Sequence, residues 1–178
     1  MSTAVLVIDV QHALFSPKPK PFEAEKVISR INSITSWARA KDYPVIFIQH
    51  EQANSPLEFK ATGWQLQGNL MSQPDDLYVR KTTPDSFLNT TLNSVLSDFQ
   101  IKHLMVCGYA TEFCIDTTTR SAAGLGYSVD LIADAHTTHD KKHANGEQIR
   151  QHHNCTLPAI SSFGVKIAAR STSDIVDC

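Results

Sequence analysis

His103-Leu-Met-Val-Cys-Gly108-Tyr-Ala-Thr-Glu-Phe-Cys114-Ile-Asp-Thr-Thr-Thr-Arg120-Ser-Ala-Ala-Gly124-Leu-Gly126 is the stretch on which the reading of this chain turns. Residues 103–108 form a short apolar run suited to a buried strand, and after Glu112 small and apolar residues recur at helical spacing. Cys114 therefore stands where a strand gives way to a helix. The free N–H groups and the dipole at a helix start favour negative charge, which predicts that a thiol of ordinary pKa, about 8.5, shifts toward thiolate. Thr111 is the expected cap of that helix, and Gly108 permits a sharp backbone at the strand end. A buried structural cysteine is the competing reading, because free cysteine is among the most buried residue types.

The rest of the chain repeats this strand-then-helix order. Residues 3–10 are a β-branched run typical of a strand covered on both faces. After a Pro- and Lys-containing loop over 11–21, residues 22–41 place Val27, Ile28, Ile31, Ile34 and Ala38 on one helical stripe. Residues 43–50 and 77–81 read as further strands, and a helix is expected over 88–99. Gly124 and Gly126 supply the stop for the helix that follows Cys114. A strand follows at 127–133, then a polar, histidine-rich helix from 140 to about 154, a last strand at 165–168 and a terminal helix opening at Ser171. Residues 51–76 show no period, and a connection of that length is usually a lid or binding loop. The alternation predicts one α/β domain over 1–178, a three-layer α-β-α arrangement around a mainly parallel sheet with right-handed crossovers.

Composition narrows the function classes. Of 178 residues 42% are apolar and 19% charged, with a formal charge of −2, so neither nucleic acid nor an acidic membrane is an expected partner. No apolar run approaches the roughly 18 residues of a membrane helix. The N-terminal residues 1–8 carry no basic segment and meet Asp9 early, which predicts a cytoplasmic protein. Cys107, Cys114, Cys155 and Cys178 lack CxxC or CxxH spacing, so reduced thiols are expected and not a zinc knuckle or thioredoxin motif.

Asp9, Lys81 and Cys114 each fall at or just past the C-terminal end of an expected strand, the edge where open α/β sheets bind ligands. A thiol, a carboxylate and an ammonium there make a nucleophile, a general base and an electrostatic stabiliser. Three segments occur in order: Val5-Leu-Val-Ile-Asp9-Val-Gln11, Arg80-Lys81-Thr-Thr-Pro-Asp-Ser-Phe87, and Gly108 through Arg120. On these segments the chain resembles the isochorismatase-like cysteine hydrolase superfamily, which includes nicotinamidases and N-carbamoylsarcosine amidohydrolase. The resemblance implies a Rossmann-like fold, with Asp9 as base, Lys81 as third member of the triad and Cys114 as the nucleophile that forms a thioester. It also implies a non-proline cis peptide at Tyr109–Ala110, an oxyanion hole from the backbone N–H groups of Ala110 and Cys114, and homo-oligomers in which a neighbouring subunit closes the site. Nicotinamidases carry an Asp-x-His metal motif where this chain has Gln49-His50-Glu51, so no metal and no cofactor are expected. Isochorismatases proper, which cleave a vinyl ether, lack the nucleophilic cysteine, so Cys114 argues for hydrolysis of C–N bonds.

Phe15, His50, Trp64, Phe87, Tyr109 and Phe113 are candidate pocket walls, and His136 a candidate hydrogen-bond partner of the substrate. Glu112 either faces the pocket or complements the helix dipole. The spacing of His136, His139, His143, His152 and His153 admits zinc, but a solvated helix face is the better reading. The expected activity is hydrolysis of a small amide, ureido or carbamoyl compound. A nicotinamidase-type deamidase, a non-catalytic small-molecule-binding protein and a thiol redox protein are the alternatives.

Overall fold

The computed structural model describes residues 2–177, so Cys178, one of the four thiols read as reduced, lies outside the described residues. Six strands form one sheet: β1 (Thr3–Ile8), β2 (Val45–His50), β3 (Leu77–Lys81), β4 (His103–Tyr109), β5 (Ser128–Thr137) and β6 (Ile167–Arg170). Their spatial order is β3-β2-β1-β4-β5-β6, and every pairing is parallel. The β-branched run at the N-terminus becomes the central strand β1, buried at every residue, because helices cover both faces of a parallel sheet.

Alternation along β1 divides the interior in two. Ala4, Leu6 and Ile8 face a core shared with Leu92 and Leu96 of α3 (Leu92–Asp98) and with Ala122 and Ala123 of α4 (Asp116–Gly124). Val5 and Val7 face the other core, filled by the Val27, Ile28, Ile31, Ile34 and Ala38 stripe of α2 (Ala24–Arg39) and by Ile175 of α6 (Thr172–Val176). The stripe expected from the sequence is thus the buried face of α2, and the three-layer α/β class is the one observed. Two further helices complete the chain: α1 (His12–Phe15), a single turn inside the loop expected over 11–21, and α5 (Gly146–Thr156).

Three boundaries differ from expectation by four residues or more, each for a local reason. The helix expected from residue 88 begins only at Leu92, because Asp85 Oδ1 accepts the N–H of Phe87 and the Thr90 hydroxyl donates to the Ser86 carbonyl, holding 85–90 as turns. Strand β5 runs on to Thr137 instead of stopping at 133, with a register shift against β4 between Val106 and Gly108. The His-rich helix starts at Gly146, where Asn145 and Gln148 form a capping box. Residues 51–76 are irregular apart from a 3₁₀ turn at Thr62–Trp64 and a single antiparallel bridge from Leu66 to Gln11, as their lack of period predicted.

Strands β1 and β4 are neighbours whose connections leave in opposite directions across the sheet. That makes the C-terminal edge between them the topological switch point, where this class of sheet opens a crevice.

Candidate active site

At that crevice β1 delivers Asp9 and β4 delivers Cys114. Asp9 follows the last residue of β1 with φ +54°, a left-handed conformation in which Asp and Asn are enriched among non-glycine residues. Across from it, a Cβ on Gly108 would lie 2.0 Å from the Ile8 carbonyl oxygen, so only glycine, here at φ +118°, lets the two strand ends close. The next peptide, Tyr109–Ala110, is cis. The chain then enters a π-helical turn, Thr111–Ile115, a wide turn frequent at functional sites. The Ala110 carbonyl accepts the N–H groups of Phe113 and Ile115, both at 3.1 Å, the residues on either side of Cys114.

Thr111 does not cap this helix. The cap position is Ala110, without a side-chain bond, and Thr111 Oγ1 lies 2.8 Å from His136 Nδ1. Asn154 Oδ1 accepts the other ring nitrogen of His136 at 2.9 Å, because its amide nitrogen donates to the Ala133 carbonyl. His136 is therefore a neutral imidazole that receives the Thr111 hydroxyl, and burial pushes its pKa down to about 4.

Lys81 closes the group from the end of β3. Its Nζ donates to Asp9 Oδ2 at 2.7 Å, to the Thr83 carbonyl at 3.1 Å and to Cys114 Sγ at 3.2 Å. The Lys81 and Asp9 side chains are 0% and 2% exposed. Burial works against the ammonium, but Asp9 and then Cys114 more than offset it, so the Lys81 pKa lies above the ordinary lysine range. The expectation of a resting thiolate is overturned. Burial, and next the Asp9 carboxylate, push the Cys114 thiol up to about 12, and the favourable pull of Lys81 does not compensate. Asp9 Oδ1 makes no hydrogen bond of normal geometry among the described residues, which leaves one carboxylate oxygen free to accept a proton.

A cavity of about 230 Å³ opens over this cluster. Asp9, Cys114, Ala110, Tyr109, Phe113 and His50 all line it, so three of the expected wall residues are placed together. His50 Nδ1 is 3.5 Å from Lys81 Nζ, and burial followed by the Lys81 charge lowers its pKa. The Tyr109 hydroxyl bonds His139 Nδ1 at 2.8 Å, so Tyr109 offers the cavity its ring; burial pushes that phenol up to about 12.

The other expected pocket residues lie elsewhere. Phe15 is buried behind the wall, edge-on to the Tyr109 ring at 5.8 Å. The Trp64 ring packs against Phe59, and only its carbonyl reaches inward, accepting from Gln11 and Gln49. Phe87 stacks on Tyr127 over the α3 and α4 core. Glu112 accepts from the Thr138 hydroxyl and pairs with Lys141, on a separate groove with His143, His152 and His153. His136 is wholly enclosed, as described above.

Sequence reading missed Leu14, Leu57 and Pro84, which complete the cavity wall. Leu57 comes from the aperiodic 51–76 segment, where no pattern marks which side chain turns inward. Gln11 closes the first of the three sequence segments, where nothing in its residue type assigns it a role. Its buried amide bridges the His50 backbone in both directions, at 2.9 Å each, and donates to the Trp64 carbonyl at 2.8 Å. No helix among the described residues is long and apolar enough to cross a membrane.

Residues 3–162 match the family model described as the isochorismatase domain. The chain is 36% identical over 138 residues to a streptothricin hydrolase of Streptomyces noursei, covering 77% of this chain and 50% of that protein. It is 30% identical over 171 residues to the ureidoacrylate amidohydrolase RutB of Caulobacter segnis, covering 75% of this chain and 72% of that one. A crystal structure of an isochorismatase family protein superposes with a TM-score of 0.87 at 34% identity, covering 95% of this chain and 98% of the other. Against two streptothricin hydrolases the chain spans only 50% and 57% of their length.

Proposed function

Because the chain belongs to the isochorismatase family, we propose that it is a single-domain cysteine hydrolase that cleaves C–N bonds of small amide, ureido or carbamoyl compounds. The observation that carries this reading is the bridge made by Lys81, whose ammonium holds a buried carboxylate and a half-buried thiol at one cavity. Hydrolytic relatives such as the ureidoacrylate amidohydrolase support the bond class.

Cys114 starts as a neutral thiol, so its proton must leave as the bond to carbon forms. Asp9 takes that proton on its unbonded oxygen while Sγ attacks the carbonyl carbon. The negative charge that develops on the carbonyl oxygen meets the backbone N–H groups of Ala110 and Cys114, in the hole assigned to them. As the C–N bond breaks, Asp9 returns the proton to the departing nitrogen. Water then attacks the thioester with Asp9 again as base, the acid leaves, and the sulfur regains its proton. Lys81 stays an ammonium throughout, stabilising the Asp9 carboxylate and the sulfur as it gains charge.

Phe113, 53% exposed beside the cavity, is the kind of apolar group that a second copy of the chain would cover, and a homo-oligomer fits this reading. The deciding experiment is mass spectrometry of enzyme quenched during turnover. An acyl adduct on Cys114, absent from Cys114→Ala, is expected; turnover retained by Cys114→Ala would rule out covalent catalysis.

A further inference from the structure

The cavity also constrains what the acyl group of the substrate can be. An ammonium has three donors, and those of Lys81 are directed to Asp9, the Thr83 carbonyl and Cys114. None is left for an anionic substrate. Lys141, whose Nζ lies 5.5 Å from the Phe113 ring centroid, is paired with Glu112 at 3.1 Å. Of the charged groups that do line the cavity, Asp9 is negative. The remaining wall is Leu14, Leu57, Pro84, Phe113 and the ring of Tyr109, whose hydroxyl is turned to His139.

Beside the Cys114 thiol and the backbone at Ala110, His50 adds a neutral polar side chain to the wall. Its Nδ1 lies 3.5 Å from the Lys81 ammonium, whose positive charge disfavours a proton on that nitrogen, so the ring proton sits on Nε2. A carboxylate brought into this space would leave water, find no unpaired cation among the described residues of the chain's own wall and meet the Asp9 charge. Burying an ion without a partner is strongly unfavourable, whereas an apolar group there is favoured.

Resting on the hydrolase reading above, we infer that this site takes small, uncharged amides with an apolar acyl group and turns away acyl groups that carry a carboxylate. The volume of about 230 Å³ is below that of pockets for drug-sized ligands, which run from about 300 Å³ upward, so the acyl part is short.

Two isosteric pairs test this. Succinamate and 4-methylpentanamide have the same heavy-atom skeleton and differ in a carboxylate against an isopropyl group, and ammonia release measures their hydrolysis. The aldehydes 4-oxobutanoate and 4-methylpentanal are the corresponding non-hydrolysable probes. Each adds to Cys114 by forming an S–C bond as the C=O π bond opens, with the thiol proton ending on the aldehyde oxygen. We expect the neutral aldehyde to bind at least about 100-fold more tightly, and the neutral amide to show a kcat/KM at least about 100-fold higher. Leu57→Arg, which places a cation in the wall, should move the aldehyde preference toward 4-oxobutanoate by about tenfold or more. Equal or tighter binding of 4-oxobutanoate by the unmodified protein overturns the inference. The neutral preference among aldehydes without ammonia from either amide upholds the inference and overturns hydrolysis, and aldehydes that leave Cys114 unmodified overturn both.

Discussion

Two of the molecule's groups of charges differ sharply in their surroundings, and the contrast between them explains where function resides. Lys81 and Asp9 are sealed inside the sheet edge, almost without exposure. Glu23 lies at the start of α2 with its side chain 20% exposed and pairs with Lys26, Arg30 and Arg150, joining α2 to α5. Arg30 extends the group to Asp134 of β5. The surface group does what ion pairs near water do, adding modest stability through several weak links. The interior pair carries a desolvation cost that its mutual attraction does little more than offset. A fold keeps such a pair for what it does to a third group, and here that group is the Cys114 thiol.

The largest expected effect comes from breaking the interior pair on one side. Lys81→Met leaves the Asp9 carboxylate buried without a counter-charge, and should lower unfolding free energy by about 3–5 kcal/mol in urea titration. Hydrolysis should fall by about three orders of magnitude or more. The double variant Asp9→Asn/Lys81→Met should recover most of the stability and none of the activity, and Asn suits the left-handed backbone at position 9. If the double variant is as unstable as the single, the pair is a net stabiliser and the contrast with the surface group collapses.

A second expectation concerns the thiol. With a pKa raised to about 12, Cys114 is protonated at neutral pH, and its thiolate fraction grows tenfold for each pH unit below that value. Alkylation of Cys114 by iodoacetamide, followed by mass spectrometry, should keep rising through pH 9. A plateau below pH 8 would show a resting thiolate and place the charge on sulfur before substrate arrives.

Smaller effects belong to the surface. Glu23→Gln should leave kcat/KM unchanged and destabilise by about 1 kcal/mol, the scale of a partly exposed ionic network. The bonds from Lys26 and Arg150 pull the Glu23 pKa from 4.5 down to about 2. A pKa depressed by folding gives stability that is complete above pH 4.5 and lost as pH falls toward 2. Thermal unfolding between pH 5 and 2 should therefore fall less steeply in Glu23→Gln than in the parent chain.

These two groups also mark what the sequence reveals and what it withholds. The interior set was legible because strand ends are legible: a β-branched run fixes Asp9 and the short strand over 77–81 fixes Lys81 at one sheet edge, and the strand-to-helix junction fixes Cys114 there too. Their electrostatics were not. A helix start was expected to favour thiolate, whereas burial and Asp9 dominate, and burial is a property of the assembled layers. His136 was placed at a strand end by its sequence and looked like a pocket residue. The register shift between β4 and β5 carries it instead into a closed site between Thr111 and Asn154. Aromatic residues misled in the same way, since Phe15, Trp64 and Phe87 are as suited to a core as to a wall. Leu57 and Leu14 were invisible because loops and single turns carry no period.

Gln11 anchors a segment that differs in kind from the sheet it touches. Between residues 51 and 76, Leu70 is the apolar side chain buried to core level, while Gln11 ties Trp64 to the end of β2 through one amide. Segments with few buried apolar contacts open locally at a small fraction of the global free energy. Amide hydrogens of this segment should therefore exchange with deuterium through local opening, insensitive to denaturant, while those of β1 wait for unfolding of the whole. Since Leu57 belongs to that segment, one wall of the cavity is renewed on a clock separate from the floor that holds Asp9 and Cys114.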